Sequence, residues 1–384
     1  MKAVLLAAGE GSRLRPLTNR RPKPMLPVAN RPILEYVIEA VAAAGIDEIV
    51  LVVGYKRPRI QTYFGDGDAW GVDIEYVRQD RQLGTAHAVG QASSRVGGDC
   101  LVLNGDRIID PGLIERMAGP GVDAPAVAVT RVGSPTRYGV ADLEDDRVVG
   151  IDEKPDRTPD SEIINAGVYR FSPAVFEAIE RTQPSAAGEI TLPATIETLA
   201  EDTAVTAVRY RGLWMDVSQL WDLLSANDAL LDRRACPSAG EIDATASVSE
   251  RSCIAEGATV GPNATLKSAT TLGPNAAVEA NAVLSNAVVM ADATIADGAV
   301  LRDCIVAENA TVGPNATVTG GETRVVVRGT VYEGVRLGGV IGDNTTLGGN
   351  VTLRAGSVVG DDVTIADSAV IEGRIAPDTE VHRG

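Results

Sequence analysis

The last part of the chain is written in short units of about six residues, and that periodicity limits the fold more than any other feature. Ile254-Ala255-Glu256-Gly257-Ala258-Thr259, Val260-Gly261-Pro262-Asn263-Ala264-Thr265 and Leu272-Gly273-Pro274-Asn275-Ala276-Ala277 each open on an aliphatic residue and carry a small residue four positions later. Gly-Pro-Asn returns at Gly313-Pro314-Asn315 and Gly-Asp-Asn stands at Gly342-Asp343-Asn344, both of them turn formers. This pattern, sustained over roughly 120 residues, is the hexapeptide signature of a parallel β-helix, in which three short strands make one triangular coil and the leading aliphatics stack inward. The register slips between Gly320 and Arg336, where an irregular loop or an inserted segment is expected. Such a domain buries apolar ladders, and nothing in that demands catalysis.

Upstream, up to about residue 232, apolar strand-like runs alternate with helix-period segments. Val4 to Ala7, Ile49 to Val53, Cys100 to Leu103 and Ala126 to Val129 read as buried strands; Ile33 to Ala44, Thr85 to Ser94 and Pro111 to Met117 read as helices. The alternation predicts an α/β domain with a Rossmann-like, mostly parallel sheet over 1–232, followed by the β-helix domain over 233–384, with the change of texture at Pro237. Sheets of this kind bind ligands at the carboxyl ends of their strands, so the motif-bearing loops should lie there.

Composition closes off several functions. A formal charge of -17 lacks the basic footprint that nucleic acid or an anionic membrane surface requires. No run approaches the roughly 18 apolar residues of a membrane helix, and the start of the chain lacks a signal-peptide pattern, so a cytoplasmic location is expected. Cys100, Cys236, Cys253 and Cys304 are widely spaced, without a CxxC pair or a nearby histidine, and are expected to be reduced structural thiols. Only five of the 35 basic residues are lysines (Lys2, Lys23, Lys56, Lys154 and Lys267). Acidic excess with arginine in place of lysine suits a halophile's protein.

The chemistry begins after the first strand. Leu6-Ala7-Ala8-Gly9-Glu10-Gly11-Ser12-Arg13-Leu14-Arg15-Pro16-Leu17-Thr18 holds glycines that let backbone amides approach an anion. A dinucleotide fingerprint would need a third glycine where Leu14 stands, and a Walker A loop would need Gly-Lys-Ser/Thr, which is absent. Arg13, and then Lys23 within Arg21-Pro22-Lys23-Pro24-Met25-Leu26-Pro27, add cations that suit a triphosphate and a leaving pyrophosphate. Lys23 is informative because this chain avoids lysine, and a compact ammonium at phosphorus is not interchangeable with a planar guanidinium.

These residues closely resemble the signature of the sugar-1-phosphate nucleotidylyltransferase family, and the likeness runs in order through the first domain. It covers Gln79-Asp80-Arg81-Gln82-Leu83-Gly84-Thr85-Ala86-His87-Ala88, Asn104-Gly105-Asp106, Tyr138-Gly139-Val140, Glu153-Lys154-Pro155, Asn165-Ala166-Gly167-Val168-Tyr169 and Trp214-Met215-Asp216-Val217. The resemblance implies a nucleotide site at Leu6, Ala8, Gly9, Gly11, Ser12, Arg13, Gln79, Gly84 and Thr85. It implies a sugar-phosphate site at Lys23, Gly139, Glu153, Lys154 and Asn165, a Mg²⁺ site at Asp106 and Asp216, and catalysis by Arg13, Lys23, Asp106 and Asp216. Mg²⁺ takes one or two carboxylates and completes its shell with phosphate and water, so a sparse pair suffices. Gln79 favours UTP or dTTP without choosing between them, and glucose-1-phosphate is the first sugar to test. Singly, Gly139 reads as a turn, Glu153 as a surface charge and Asn165 as a strand-end cap; together they form a constellation. His87 is read as structural, because a sugar phosphate is already an anionic nucleophile near neutral pH and needs no base.

Two other readings stay open. Relatives of this layout also acetylate sugar amines with a histidine and lysines in a left-handed β-helix; here that region holds Lys267 and the terminal His382. Others are non-catalytic regulatory subunits, which would be expected to lack parts of the phosphate and metal constellation. By the same resemblance the left-handed β-helix packs as a homotrimer.

Overall fold

The computed structural model describes residues 1–155, 157, 161–233, 236 and 238–382. Pro237 lies outside them. The chain divides into two compact units, the first made of Met1–Glu10, Pro22–Met25 and Ile33–Asp216, the second of Gly11–Arg21, Leu26–Pro32 and Val217–Gly384.

In the first unit the chain runs through β1 (Lys2–Ala7), α1 (Ile33–Ala43), β2 (Glu48–Val53), β3 (Asp73–Arg78), α2 (Thr85–Gln91) and β4 (Cys100–Asn104). It continues through β5 (Arg107–Ile109), α3 (Pro111–Ala118), β6 (Ala126–Arg131), β7 (Gly139–Glu144), β8 (Arg147–Glu153), β9 (Ile163–Phe171), β10 (Val205–Arg209) and β11 (Trp214–Asp216). Nine strands make one sheet in the order β3-β2-β1-β4-β9-β6-β10-β8-β7. β1 pairs in parallel with β2 and with β4, and β2 in parallel with β3; β9 then enters antiparallel to both β4 and β6.

The strands are apolar on both faces because both faces are covered. Ala3, Leu5 and Ala7 pack with Leu34, Val37 and Ile38 of α1 and Leu113 of α3, whereas Val4 packs with Ala86 and Val89 of α2. That two-sided burial removes the alternation seen in half-exposed strands and leaves continuous hydrophobic runs. The parallel register brings the carboxyl ends of β1, β2, β3 and β4 to one edge. Ala8, Gly54, Gln79 and Gly105-Asp106 follow there, the place where such sheets bind ligands.

The second unit is a stack of parallel coils. Val260, Val278, Ile295, Val312, Leu347 and Ile365 form one ladder, and Leu266, Leu284, Leu301, Val318, Leu353 and Ile371 a second. Ile254, Leu272, Val289, Val306, Ile341 and Val359 form a third, and all three enclose one core. Each such side chain contributes about 1.5–3 kcal/mol by leaving water. Turn residues Asn263, Asn275, Asn315 and Asn344 sit at φ 56°, 58°, 55° and 56°, the left-handed region that asparagine tolerates.

The expected break at 320–336 is an antiparallel hairpin of Glu322–Val327 and Thr330–Arg336. α4 (Leu220–Arg233) belongs to this unit. The reading of four free thiols needs correction: Cys236 and Cys253, whose Cα atoms lie 5.2 Å apart, are joined in a disulfide, while Cys100 and Cys304 are free and buried. Wide spacing in sequence did not exclude the pair, because Cys236 lies beside the β-helix strand Ser252–Ile254 that carries Cys253. No described helix is long and apolar enough to cross a membrane.

Candidate active site

β4 ends at Asn104, and Gly105 turns the chain so that its amide donates to the Leu6 carbonyl of β1 at 2.9 Å. Asp106 therefore emerges at the sheet edge. β5 and β11 pair antiparallel, with Asp216 opposite Arg107 and Trp214 opposite Ile109. This short ribbon brings the two aspartates together although they are far apart in sequence. The Lys23 ammonium, on the turn Lys23–Met25, lies 2.6 Å from Asp106 Oδ2 and 3.3 Å from Asp216 Oδ1.

A fourth group, Arg107, was not singled out from the sequence. Its guanidinium pairs with Asp216 and stands 3.2 Å from Asp106 Oδ1. It also lies over the Trp214 ring, 5.4 Å from the centroid. Burial disfavours the Asp106 carboxylate, but the Arg107 guanidinium and the Lys23 ammonium outweigh it and hold the carboxyl below the usual carboxylate range. The signal was its position beside Asp106 at a strand exit.

Whether these residues suit a divalent cation can be judged from their own chemistry. Two carboxylates already share one small cation, the Lys23 ammonium. Asp106 Oδ1 is buried and accepts no hydrogen bond. A donor set of two carboxylates is what Mg²⁺ uses when phosphate and water fill the remaining positions. Among the described residues there is no cluster of three or more His, Cys, Asp and Glu side chains that would hold a metal by protein ligands alone.

The residues that the resemblance assigns to the sugar phosphate lie together beside this centre. A Cβ on Gly139 would lie 2.8 Å from Ile151 Cγ2, 2.9 Å from Glu153 Oε2 and 3.9 Å from Asn165 Cβ. Asn165 donates to the Tyr169 hydroxyl at 2.7 Å and accepts from the Gly167 amide at 2.9 Å. Lys154 forms an ion pair with its neighbour Glu153. Trp214 joins the two groups: its indole donates to the Ala166 carbonyl at 2.8 Å, and its ring meets Tyr138 edge-on at 5.5 Å.

At the end of β3, Gln79 is buried, and its amide nitrogen donates to the Gly84 carbonyl at 3.2 Å and lies 2.9 Å from His87 Nδ1. His87 thus braces Gln79 from α2. The Thr85 hydroxyl accepts from the Leu192 amide at 2.9 Å, and the Ala8 carbonyl accepts from the Gln82 side chain at 3.0 Å. Gly9 lies in the first unit, while Gly11, Ser12 and Arg13 lie in the second, where Arg13 is exposed.

A nucleotidyl transferase family model matches residues 2–233, a GMPPB C-terminal domain model residues 248–334, and a bacterial transferase hexapeptide model residues 338–373. The chain is 40% identical over 264 residues to the low-salt glycan biosynthesis nucleotidyltransferase Agl11 of Haloferax volcanii, covering 67% of this chain and 74% of that protein. It is 38% identical over 260 residues to the bifunctional protein GlmU of Methanococcus maripaludis, covering 67% of this chain and 61% of that one. The chain thus spans only about three fifths of the length of that relative. Glucose-1-phosphate thymidylyltransferase of Streptomyces antibioticus is 39% identical over 264 residues, covering 67% of this chain and 74% of its own. Among solved structures, a putative glucose-1-phosphate thymidylyltransferase from Bacillus anthracis in complex with a sucrose superposes with a TM-score of 0.55 at 29% identity, over 60% of this chain and 94% of that one.

Proposed function

The chain belongs to the nucleotidyl transferase family, and from that premise we propose that it transfers a nucleotidyl group from UTP or dTTP to a sugar-1-phosphate, releasing pyrophosphate. The observation that carries this reading is the Lys23 ammonium held between Asp106 and Asp216 at the carboxyl edge of the sheet. Glucose-1-phosphate is the first acceptor to test.

A sugar-phosphate oxygen attacks the α-phosphorus in line; the new O–P bond forms as the bond to the bridging oxygen breaks, and the electron pair leaves with pyrophosphate. The nucleophile carries its own charge, since the second pKa of a phosphate monoester is about 6. No side chain need remove a proton, which agrees with His87 serving Gln79. The chain's task is to hold two polyanions together and offset their charge. Lys23 supplies a compact cation, Arg107 fixes the carboxylates, and Arg13 meets the pyrophosphate end. When bound at Asp106 and Asp216, Mg²⁺ supplies Lewis-acid neutralisation of phosphate oxygens. Gly139, Glu153 and Asn165 orient the sugar hydroxyls, and Lys154 meets the sugar phosphate.

Gln79 uses its amide nitrogen internally, which leaves the carbonyl oxygen to accept from a base. Uracil and thymine offer an N3–H donor there and cytosine does not, which favours UTP or dTTP over CTP. Residues 1–232 carry the chemistry and 233–384 assembly, as a cytoplasmic homotrimer.

The test is pyrophosphate release over four nucleoside triphosphates and several sugar-1-phosphates with Mg²⁺. Turnover with UTP or dTTP that falls by about a thousandfold or more in Asp106→Asn is expected, on the scale of losing a principal electrostatic group. Near-normal release by that variant would remove the metal assignment, and no release from any pair by the unaltered chain would remove the function.

A further inference from the structure

The hairpin of Glu322–Val327 and Thr330–Arg336 interrupts the β-helix and has Arg328-Gly329 as its turn, at φ 51° and 82°. A two-residue turn with both φ positive matches the twist of a hairpin, and its first position ordinarily goes to asparagine or aspartate. Among the described residues of the second unit, every other non-glycine at positive φ is Asn, Asp, Ala or Ser. An arginine there is the costly choice, and outliers of this kind gather where a side chain is needed in one place.

Its surroundings say what for. The other arginines of the hairpin are matched to carboxylates, Arg324 to Glu333 at 3.4 Å and Arg336 to Asp303 at 2.9 Å. Arg328 has no carboxylate among the described residues, in a chain with 52 acidic residues. Its guanidinium donates instead to the Ser12 hydroxyl. One of five donors is thereby used at a fixed fork, beside the exposed Arg13.

Both partners of this contact are held from behind. Arg21, 1% exposed, pairs with Asp343 at 2.6 Å and Glu308 at 3.0 Å and donates to the Leu17 carbonyl at 3.0 Å. Asn19 donates to Asp361 at 2.7 Å. The segment Gly11–Arg21 is thus fastened to turns of the β-helix. The hairpin rests on Tyr332, whose ring lies 5.1 Å from that of Trp221 and whose hydroxyl accepts from Gln219 at 3.3 Å.

We propose that Arg328 is a binding residue for the outer phosphates of the nucleoside triphosphate, delivered by the β-helix hairpin to the loop at Ser12 and Arg13. This rests on the reading of that loop as the triphosphate site. A cation left without a carboxylate, placed against a phosphate-loop hydroxyl, completes a pair with Arg13 that can take two phosphate oxygens at once.

The full-length chain tests it. Arg328→Ala should raise KM for UTP or dTTP, and weaken calorimetric binding of the same nucleotide with Mg²⁺, by about tenfold, the loss of one charge-assisted contact. KM for the sugar phosphate and kcat should stay within about twofold, since Arg328 touches neither the acceptor nor the carboxylates. Arg328→Lys should recover part of the loss, and Arg324→Ala, on the same hairpin, should behave as the unaltered chain. Nucleotide affinity unchanged in Arg328→Ala overturns the proposal, even if amide exchange of Ser12–Thr18 quickens, because the contact would then be structural only. If the unaltered chain binds nucleotide but releases no pyrophosphate, the function falls while the affinity comparison still decides the role of Arg328. If it binds no nucleotide, both fall.

Discussion

Glu153 owes its place to what Gly139 lacks. With Ile151 Cγ2 and Glu153 Oε2 at 2.8 and 2.9 Å from where a Cβ would stand, Gly139→Ala must displace the flexible carboxylate, because the packed Ile151 gives less. The expected result is a rise of about tenfold in KM for the sugar phosphate, equivalent to about 1.4 kcal/mol, with KM for the nucleotide spared; initial rates with each substrate varied in turn distinguish the two. Asp106 makes a pH prediction. Its folded-state pKa is depressed, so its contribution to stability is whole above the unfolded value of about 3.9 and is lost as pH falls through the lower folded value. Urea midpoints of the metal-free chain should hold steady above about pH 5 and decline below about pH 4, less steeply in Asp106→Asn. At this scale legibility followed rarity. Lys23 stood out because the chain has five lysines, whereas Arg107 was hidden among 30 arginines even though it touches both carboxylates.

The ladders of the β-helix were legible because period and residue type repeat locally, and the parallel strands were legible because two-sided burial writes continuous apolar runs. The allegiance of Gly11–Arg21 was not. That segment follows β1 directly, yet Arg21 finds Asp343 across 322 positions of sequence, and no local pattern encodes a partner so distant. The pair also shows how a single arginine fastens an element. Arg21 is 1% exposed and the Asp343 side chain 2%, so removing the cation leaves a carboxylate buried beside Glu308. Arg21→Met should therefore cost about 3–5 kcal/mol, the scale for breaking one side of a buried pair, read from urea unfolding. Trypsin should cut sooner at Arg13 or Arg20 in that variant, because the fastening of the segment is lost. Arg21→Met combined with Asp343→Asn should recover part of the loss, since the stranded charge is then gone.

Over the whole molecule the surface charge and the buried pairs respond to salt in opposite measure. A net charge of -17 sets like charges against one another over distances comparable to the Debye length of about 10 Å at 0.1 M, which contracts to about 3 Å at 1 M. Raising KCl across that range should raise the unfolding midpoint, since repulsion in the compact state is screened while the ladders are undiminished. The Arg21–Asp343 pair, shut away from water, is screened little. The stability difference between Arg21→Met and the unaltered chain should therefore stay nearly constant from low to high KCl, while the midpoints of both climb together. Urea titrations of the two proteins at about 0.1 M and about 1 M KCl separate these contributions. Midpoints that ignore KCl would dismiss halophilic adaptation as the reason for the acidic, lysine-poor composition. A difference that shrinks with salt would mean that Arg21 acts as an exposed pair does, and that the loop is held by something other than this buried contact.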